Sequence, residues 1–512
     1  MADGGMAVAG LVLAVPGVID ICIKYGCFLR DKVRNYQHIK ELARVDEFIV
    51  ELVEGQVHQI LLFFRAQHQA SAEDSQAFAL VQHLRNLLEK ISKMFPGSEP
   101  GLWEKLVFSM HGRDSIERAC VELEEWHGRL LRHFFLRAML GAPEIHKGRD
   151  STEIRFAMLS RVQRIRKAIM DPDATVDARG LRLEAFDDAA TFQPLDGSDI
   201  VLVDSGKELV EYRQYSTLAT PQVIAATQVL VREIAARLHE AESATKGLLC
   251  CKGFTPEPMK SRFALRFNYP AGRDAPKTLQ SLLMHPANAG GTRHFLSDRV
   301  ALARGIASAV LYMHTCGFVH KSIRPDNILI FEKEVVNTGA DQSKHHYPYV
   351  VGEPFLVGFD SLRRAVAASN MIKVEEWKKN VYLHPDRHRM TKGDEYTVRH
   401  DLYSLGVVLL EVAMWSCFTD ERANGMAKCV WHVAQGARLS PLSPDELKAI
   451  YLKLAKSQVP RCIGAKYADI VVSCLEGLRD EEAGGLLNDQ DGMVVETAYV
   501  SQILEKLEDI SL

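Results

Sequence analysis

Apolar residues recur at helical spacing through the first 145 positions, in segments at about 6–24, 29–69, 73–95 and 113–140. In the last segment Ile116, Cys120, Leu123, Trp126, Leu130, Leu131 and Phe134 fall three and four apart, forming one helix face that has to be covered. The sequences PGSEPG (Pro96 to Gly101) and GAPE (Gly141 to Glu144) separate such segments as turns, so an all-α helical bundle is expected over 1–145. Between 151 and 172, Met158, Val162, Ile165 and Ile169 alternate with Arg155, Arg161, Arg164, Arg166 and Lys167 in a short amphipathic helix. Its basic face suits a solvated connector between domains or an anionic lipid surface. A linker sequence, DPDATVDARG, follows, which assigns 146–182 to a connector. From about 185 the pattern shortens to strand-like runs, IVLVD, ELVEYRQY and FALRFNY, with one helix expected from Pro221 to Ala241. Mostly helical periodicity then continues to a closing amphipathic segment, VSQILEKLEDISL. A small sheet-containing lobe over 183–275 and a helical large lobe over 276–512 result, an α+β body of two lobes.

The chain has 512 residues, more than one hydrophobic core serves, and 47% apolar, 25% charged and 8% aromatic residues are ordinary for a folded protein. A formal charge of −4 sets up no field that would gather nucleic acid. Ten scattered cysteines without a repeated CxxC pair point to reduced thiols in the cytoplasm rather than to a zinc site. The apolar run Met6 to Ile19 has no preceding Lys or Arg, as a secretory signal would, and Pro16, Asp20 and Lys24 interrupt or end it. It is also shorter than the ~20 residues of a spanning helix. Burial of Val8, Leu11, Leu13, Val15, Val18 and Ile19 is worth about 1.5 to 3 kcal/mol each, whether the acceptor is a bundle core or a bilayer. Pro16 would kink that helix.

The chemistry-bearing sequence is Ser297 to Ile330, SDRVALARGIASAVLYMHTCGFVHKSIRPDNILI. It resembles the long helix, catalytic loop and following strand of protein kinases. In that family the loop reads HRDLKPEN, its Asp accepting the substrate proton and its Asn holding magnesium. His320, Pro325, Asp326 and Asn327 align without a gap, but Ser322 stands at the base position and Arg324 at the loop Lys. A neutral hydroxyl is no carboxylate base, and general-base catalysis typically contributes about a hundredfold to ten-thousandfold. HDLYSLGVVLLEV (His400 to Val412) resembles the helix whose buried Asp braces the loop, which makes Asp401 structural; an Asp at that point also reads as a helix N-cap.

The metal-binding DFG has its best counterpart in Gly358-Phe359-Asp360, where Gly358 replaces the ligating Asp and Asp360 supplies the nearby carboxylate. No GxGxxG covers the phosphates, since residues 183–206 contain only Gly197 and Gly206. The resemblance places Arg213, within Leu209 to Arg213, at the nucleotide-contacting Lys and Glu233 as its helix partner. Phe267 to Pro270 reads as the connection between lobes, Lys333 to Tyr347 as a polar insertion, and Tyr382 to Asp386 as the segment end usually written APE. No catalytic residue is therefore expected. Arg213, Glu233 and Asn327 are the nucleotide candidates, Asn327 and Asp360 the metal candidates, and ATP, with or without magnesium, is the implied cofactor.

A Gly-containing apolar first helix, GLVLAVPGVIDICIKYG, ahead of charged amphipathic helices and a kinase-like domain resembles fungal HeLo-domain proteins of the prion-inhibition and propagation type. The same arrangement is similar to that of the mixed lineage kinase domain-like protein. This resemblance implies a latent membrane-active bundle under pseudokinase control, acting in regulated cell death or heterokaryon incompatibility. Its implied partners are an upstream sensor protein, plasma-membrane lipids on activation and further copies of the chain. A divergent active kinase that binds ATP and a non-catalytic interaction scaffold are the competing readings.

Overall fold

The computed structural model describes residues 17–30, 33, 42–68, 75–94, 113–140, 180–204, 208–239, 247–285, 294–315, 318–332, 347, 350–359, 363–364, 377–389, 396–420, 443–478 and 499–510. The chain divides into two units, 1–163 and 164–512. In the first unit the described residues are helical: α1 over 17–30, α2 (Leu42–Val53), α3 (Gln56–His68), α4 (Ser75–Met94) and α5 (Arg113–Leu140). The expected continuous helix over 29–69 is interrupted. Glu54 and Gly55 both return their N–H groups to the Val50 carbonyl, a turn that Gly favours over continued helix.

The stripe on α5 is buried as its spacing requires at Ile116, Cys120, Leu123, Trp126, Leu130 and Phe134. Trp126 stands edge-on to Phe48 at 5.9 Å and donates its indole N–H to Leu80 O at 2.8 Å, so the largest apolar side chain leaves no polar atom unpaired. Val18 and Ile19 of α1 are buried, and Cys22 of the same helix reaches Val81 O. Val8, Leu11, Leu13 and Val15 lie outside the described residues, as does the basic segment 151–172. Among the described residues no helix is long and apolar enough to cross a membrane.

The second unit combines helices with antiparallel sheets. Strands β1 (Phe192–Pro194), β2 (Val201–Val203), β3 (Glu208–Gln214), β4 (Cys251–Glu257) and β5 (Arg262–Asn268) form a five-stranded sheet of order β1-β2-β3-β5-β4. One helix, α6 (Pro221–His239), packs on it through Val231, Ile234, Ala235 and Leu238. The register of β3 with β5 pairs Leu209 with Phe267, Glu211 with Leu265 and Arg213 with Phe263, so these three side chains share one face by strand alternation.

After Asn268 the chain crosses to β6 (Lys277–Thr278) and α7 (Leu279–Leu283), which Thr278 caps by accepting from Ser281 N–H at 3.1 Å. Helix α8 (Leu296–Thr315) leads to β7 (Phe318–Val319), then β8 (Ile328–Phe331) and β9 (Glu353–Leu356), which pair antiparallel. Helix α9 (Val398–Met414) is the axis of this region: every residue from His400 to Met414 is buried. Arg299 of α8 donates to Ala413 O at its end, and Tyr467 of α11 (Ala465–Glu476) donates to Leu409 O along its flank. Between them in sequence lies α10 (Pro444–Ser457), whose Tyr451 stacks on Phe418 and donates to Val381 O. The closing segment docks by Tyr499 donating to Ala307 O at 2.9 Å and by buried Ile503 and Leu507.

Candidate functional site

The turn from His320 to Asn327 hangs from one buried carboxylate. Asp401 has no exposed surface and accepts from His320 N–H at 2.6 Å, Lys321 N–H at 2.9 Å and the His314 ring at 3.1 Å. Burial pushes its carboxyl upward, but the His314 hydrogen bond and charge together with His320 hold it below the usual carboxylate range. It is not the helix cap. Thr397 caps α9, its N–H reaching His400 Nδ1 at 2.9 Å, while Asp401 projects one turn further in, toward the loop. Lys321, held through its amide, takes φ +67°, a left-handed conformation that costs a non-glycine residue about 1 to 2 kcal/mol.

Ser322 sits where the carboxylate base was sought, and its Oγ accepts from Asn327 Nδ2 at 2.9 Å. The same Asn327 Nδ2 reaches Ser322 O at 2.8 Å, so the amide is committed to the loop that carries it. Gly358 packs directly on this amide: a Cβ there would stand 2.5 Å from Asn327 Cγ, and φ is +91°. No aspartate fits at 358 unless Asn327 moves. Arg324 pairs with Asp326 at 3.2 Å; burial raises the Asp326 carboxyl, with Asp199 of the β1–β2 turn adding to the rise and Arg324 opposing it. Asp360 lies outside the described residues.

Above the loop, Arg213 Nη1 donates to Phe359 O at 3.1 Å, so this guanidinium is engaged by the peptide backbone. Its neighbour on the same face of β3, Glu211, accepts from Gly358 N–H at 3.0 Å. Both are buried, as is Glu233 on α6; Arg237, one turn further along α6, lies over the Phe318 ring at 4.2 Å. Phe359 is fully buried with Phe267 at 5.8 Å and His320 at 5.6 Å, and His320 Nε2 lies 3.0 Å from Val357 O. The kinase resemblance selected Arg213 at the position of the nucleotide-contacting Lys and passed over Glu211, His314 and Lys321. The alternation of ELVEYRQ contained the missing signal, since it places Glu211 and Arg213 on one face.

Among the described residues one His and Asp cluster brings ligand atoms within 4.8 Å of each other: His384, Asp386 and His400. His384 Nδ1 accepts Asp386 N–H, and His400 Nδ1 accepts Thr397 N–H. Neutral rings so bonded carry their proton on Nε2, and neither offers a lone pair to a cation without losing its hydrogen bond. Arg399 also engages Asp386. The cluster is structural.

Buried imidazoles make the unit acid-sensitive. Burial lowers His320 to about 4, and His384 and His400 to about 3, from the ordinary 6.5. Between those values the unfolded chain binds more protons, so stability rises with pH up to about 6.5. Buried Glu411, which accepts from Tyr382 Oη and Phe418 N–H, acts in the opposite sense: burial pushes it up to about 8, and its contribution is lost as pH rises from 4.5 toward 8. Melting temperature is therefore expected to peak near pH 6.5. A thermal-denaturation series from pH 4.5 to 8.5 checks this, and His320→Asn flattens the acid limb.

The sequence is 31% identical over 145 residues to the serine/threonine-protein kinase PknD of Chlamydia caviae. The match covers 26% of this chain and 15% of that protein. No protein-family model matches the sequence. The chain carries a kinase-like region.

Proposed function

We propose that residues 183–512 form a signalling pseudokinase, with a small lobe to about 275 and a large lobe beyond it. The packing of Gly358 against Asn327 carries the reading: the two positions from which kinases hold magnesium are a glycine without a side chain and an amide bonded to Ser322. Ser322 leaves the substrate hydroxyl without a carboxylate base, and the commitments of Arg213 to Phe359 O and of Glu211 to Gly358 N–H support the same conclusion. The similarity to PknD supports the kinase-like frame, and a divergent active kinase is the rival it suggests.

The output we propose is carried by residues 1–145 as a HeLo-like bundle, joined through the connector 146–182, acting in regulated cell death or incompatibility at the plasma membrane. The buried Val18 and Ile19 of α1 support a helix whose apolar residues could exchange a protein core for a bilayer. The rival scaffold reading needs no such exchange. Dye retention by anionic liposomes at every concentration of residues 1–145 would remove the membrane role and leave the scaffold.

The full chain, given ATP and magnesium, is expected to transfer no phosphoryl group to itself or to a general protein substrate. A Ser322→Asp/Gly358→Asp variant is expected to stay inactive, because the restored carboxylate at 358 collides with Asn327. Magnesium-dependent transfer by the wild type, abolished in Asn327→Ala, would establish the active-kinase reading instead.

A further inference from the structure

We infer that the cleft beneath the sheet is held shut by its own side chains and takes no nucleotide, through a clamp in which Glu211 and Arg213 of β3 grip the backbone at Gly358 and Phe359. This rests on the pseudokinase reading and adds to it how the inactive site is maintained.

Phosphoryl-transfer sites place cations around the phosphates, a Lys from the sheet and metal ions from the loop. Here the sheet offers a carboxylate, Glu211, beside Arg213, whose guanidinium is engaged by Phe359 O. Glu211 is 2% exposed and accepts from Gly358 N–H, in the place where a nucleotide would bring further negative charge. Such a group is not free to turn away, because a buried carboxylate stripped of its donor is costly.

Two residues on, Arg213 donates to Phe359 O. One face of one strand thus satisfies an N–H and a C=O of successive residues, an acid taking the donor and a base taking the acceptor. The glycine conformation completes the grip. With φ +91°, Gly358 offers its N–H to Glu211 while its Cα side rests on Asn327, so the backbone is held between β3 and the loop.

The turn between β1 and β2 faces Thr278, the cap of α7: a Cβ added to Gly197 would stand 3.5 Å from Thr278 Oγ1. Asp199 in that turn and Asp326 in the loop add acids to the approach, of which only Asp326 pairs with Arg324. Arg324 and Lys379 act on Asp326 against these acids, so the exclusion rests on the grip of Glu211 and Arg213 and not on charge alone.

The test is amide hydrogen exchange of the full chain, read at Gly358 and Phe359 by mass spectrometry with and without millimolar ATP and magnesium. The clamp predicts slow exchange at Gly358 that nucleotide leaves unchanged. It predicts acceleration by about ten- to a hundredfold in Glu211→Ala, the loss expected for a hydrogen bond to a charged group, with α9 still protected. Glu211→Gln, which keeps an acceptor oxygen, restores part of the protection. If Glu211→Ala fails to fold, the wild-type comparison alone decides. Fast exchange at Gly358 that slows on adding ATP would overturn the clamp while leaving the pseudokinase reading in place. Phosphoryl transfer in the same samples would overturn the pseudokinase reading itself.

Discussion

The buried carboxylate of Asp401 is the constraint on which the kinase-like region is built. An ionised group with no exposed surface has to be matched by donors, and removing one partner of such a pair typically costs about 3 to 5 kcal/mol. The donors are the amides of His320 and Lys321 and the His314 ring, so one side chain on α9 fixes where the loop lies and holds Lys321 at positive φ. Burial of α9 on all sides makes that anchor rigid.

Once the loop is fixed in this way, its chemistry is free to change. The interactions of Asp401 with the loop are made to backbone amides, which survive any substitution at Ser322. Asn327 then turns its amide to Ser322 in space that Gly358, without a side chain, leaves open, and Gly358 gives its N–H to Glu211. Asn327, Gly358 and Arg213 each find a hydrogen-bond partner in a neighbouring group, whereas the buried Arg324 Nε and His314 Nδ1 have none. Phe359 keeps its place between Phe267 and His320 throughout, since its packing is apolar and independent of metal.

The legible parts of the sequence were those specified by local pattern. The α5 stripe and the strands ELVEYRQ and RFALRFN follow from spacing alone. Asp401 was found because His400 to Val412 resembles the kinase helix whose buried Asp braces the catalytic loop. The break at Glu54 and Gly55 was missed because apolar periodicity runs through it, and the hydrogen bonds to Val50 leave no mark on the spacing. Glu211 was missed for a different reason. Its role depends on Gly358, 147 positions away, and a search for a cation at one strand position selects Arg213 instead.

The central claim, that Asp401 holds the loop as a fixed part of the unit, is tested most directly by native-state hydrogen exchange at the His320 and Lys321 amides. The account predicts that both exchange only with global unfolding, at the same free energy as the amides of α9 and without nucleotide. Exchange of these two amides by a local opening, with α9 still protected, would show that the loop is not fixed by this carboxylate and would contradict the account.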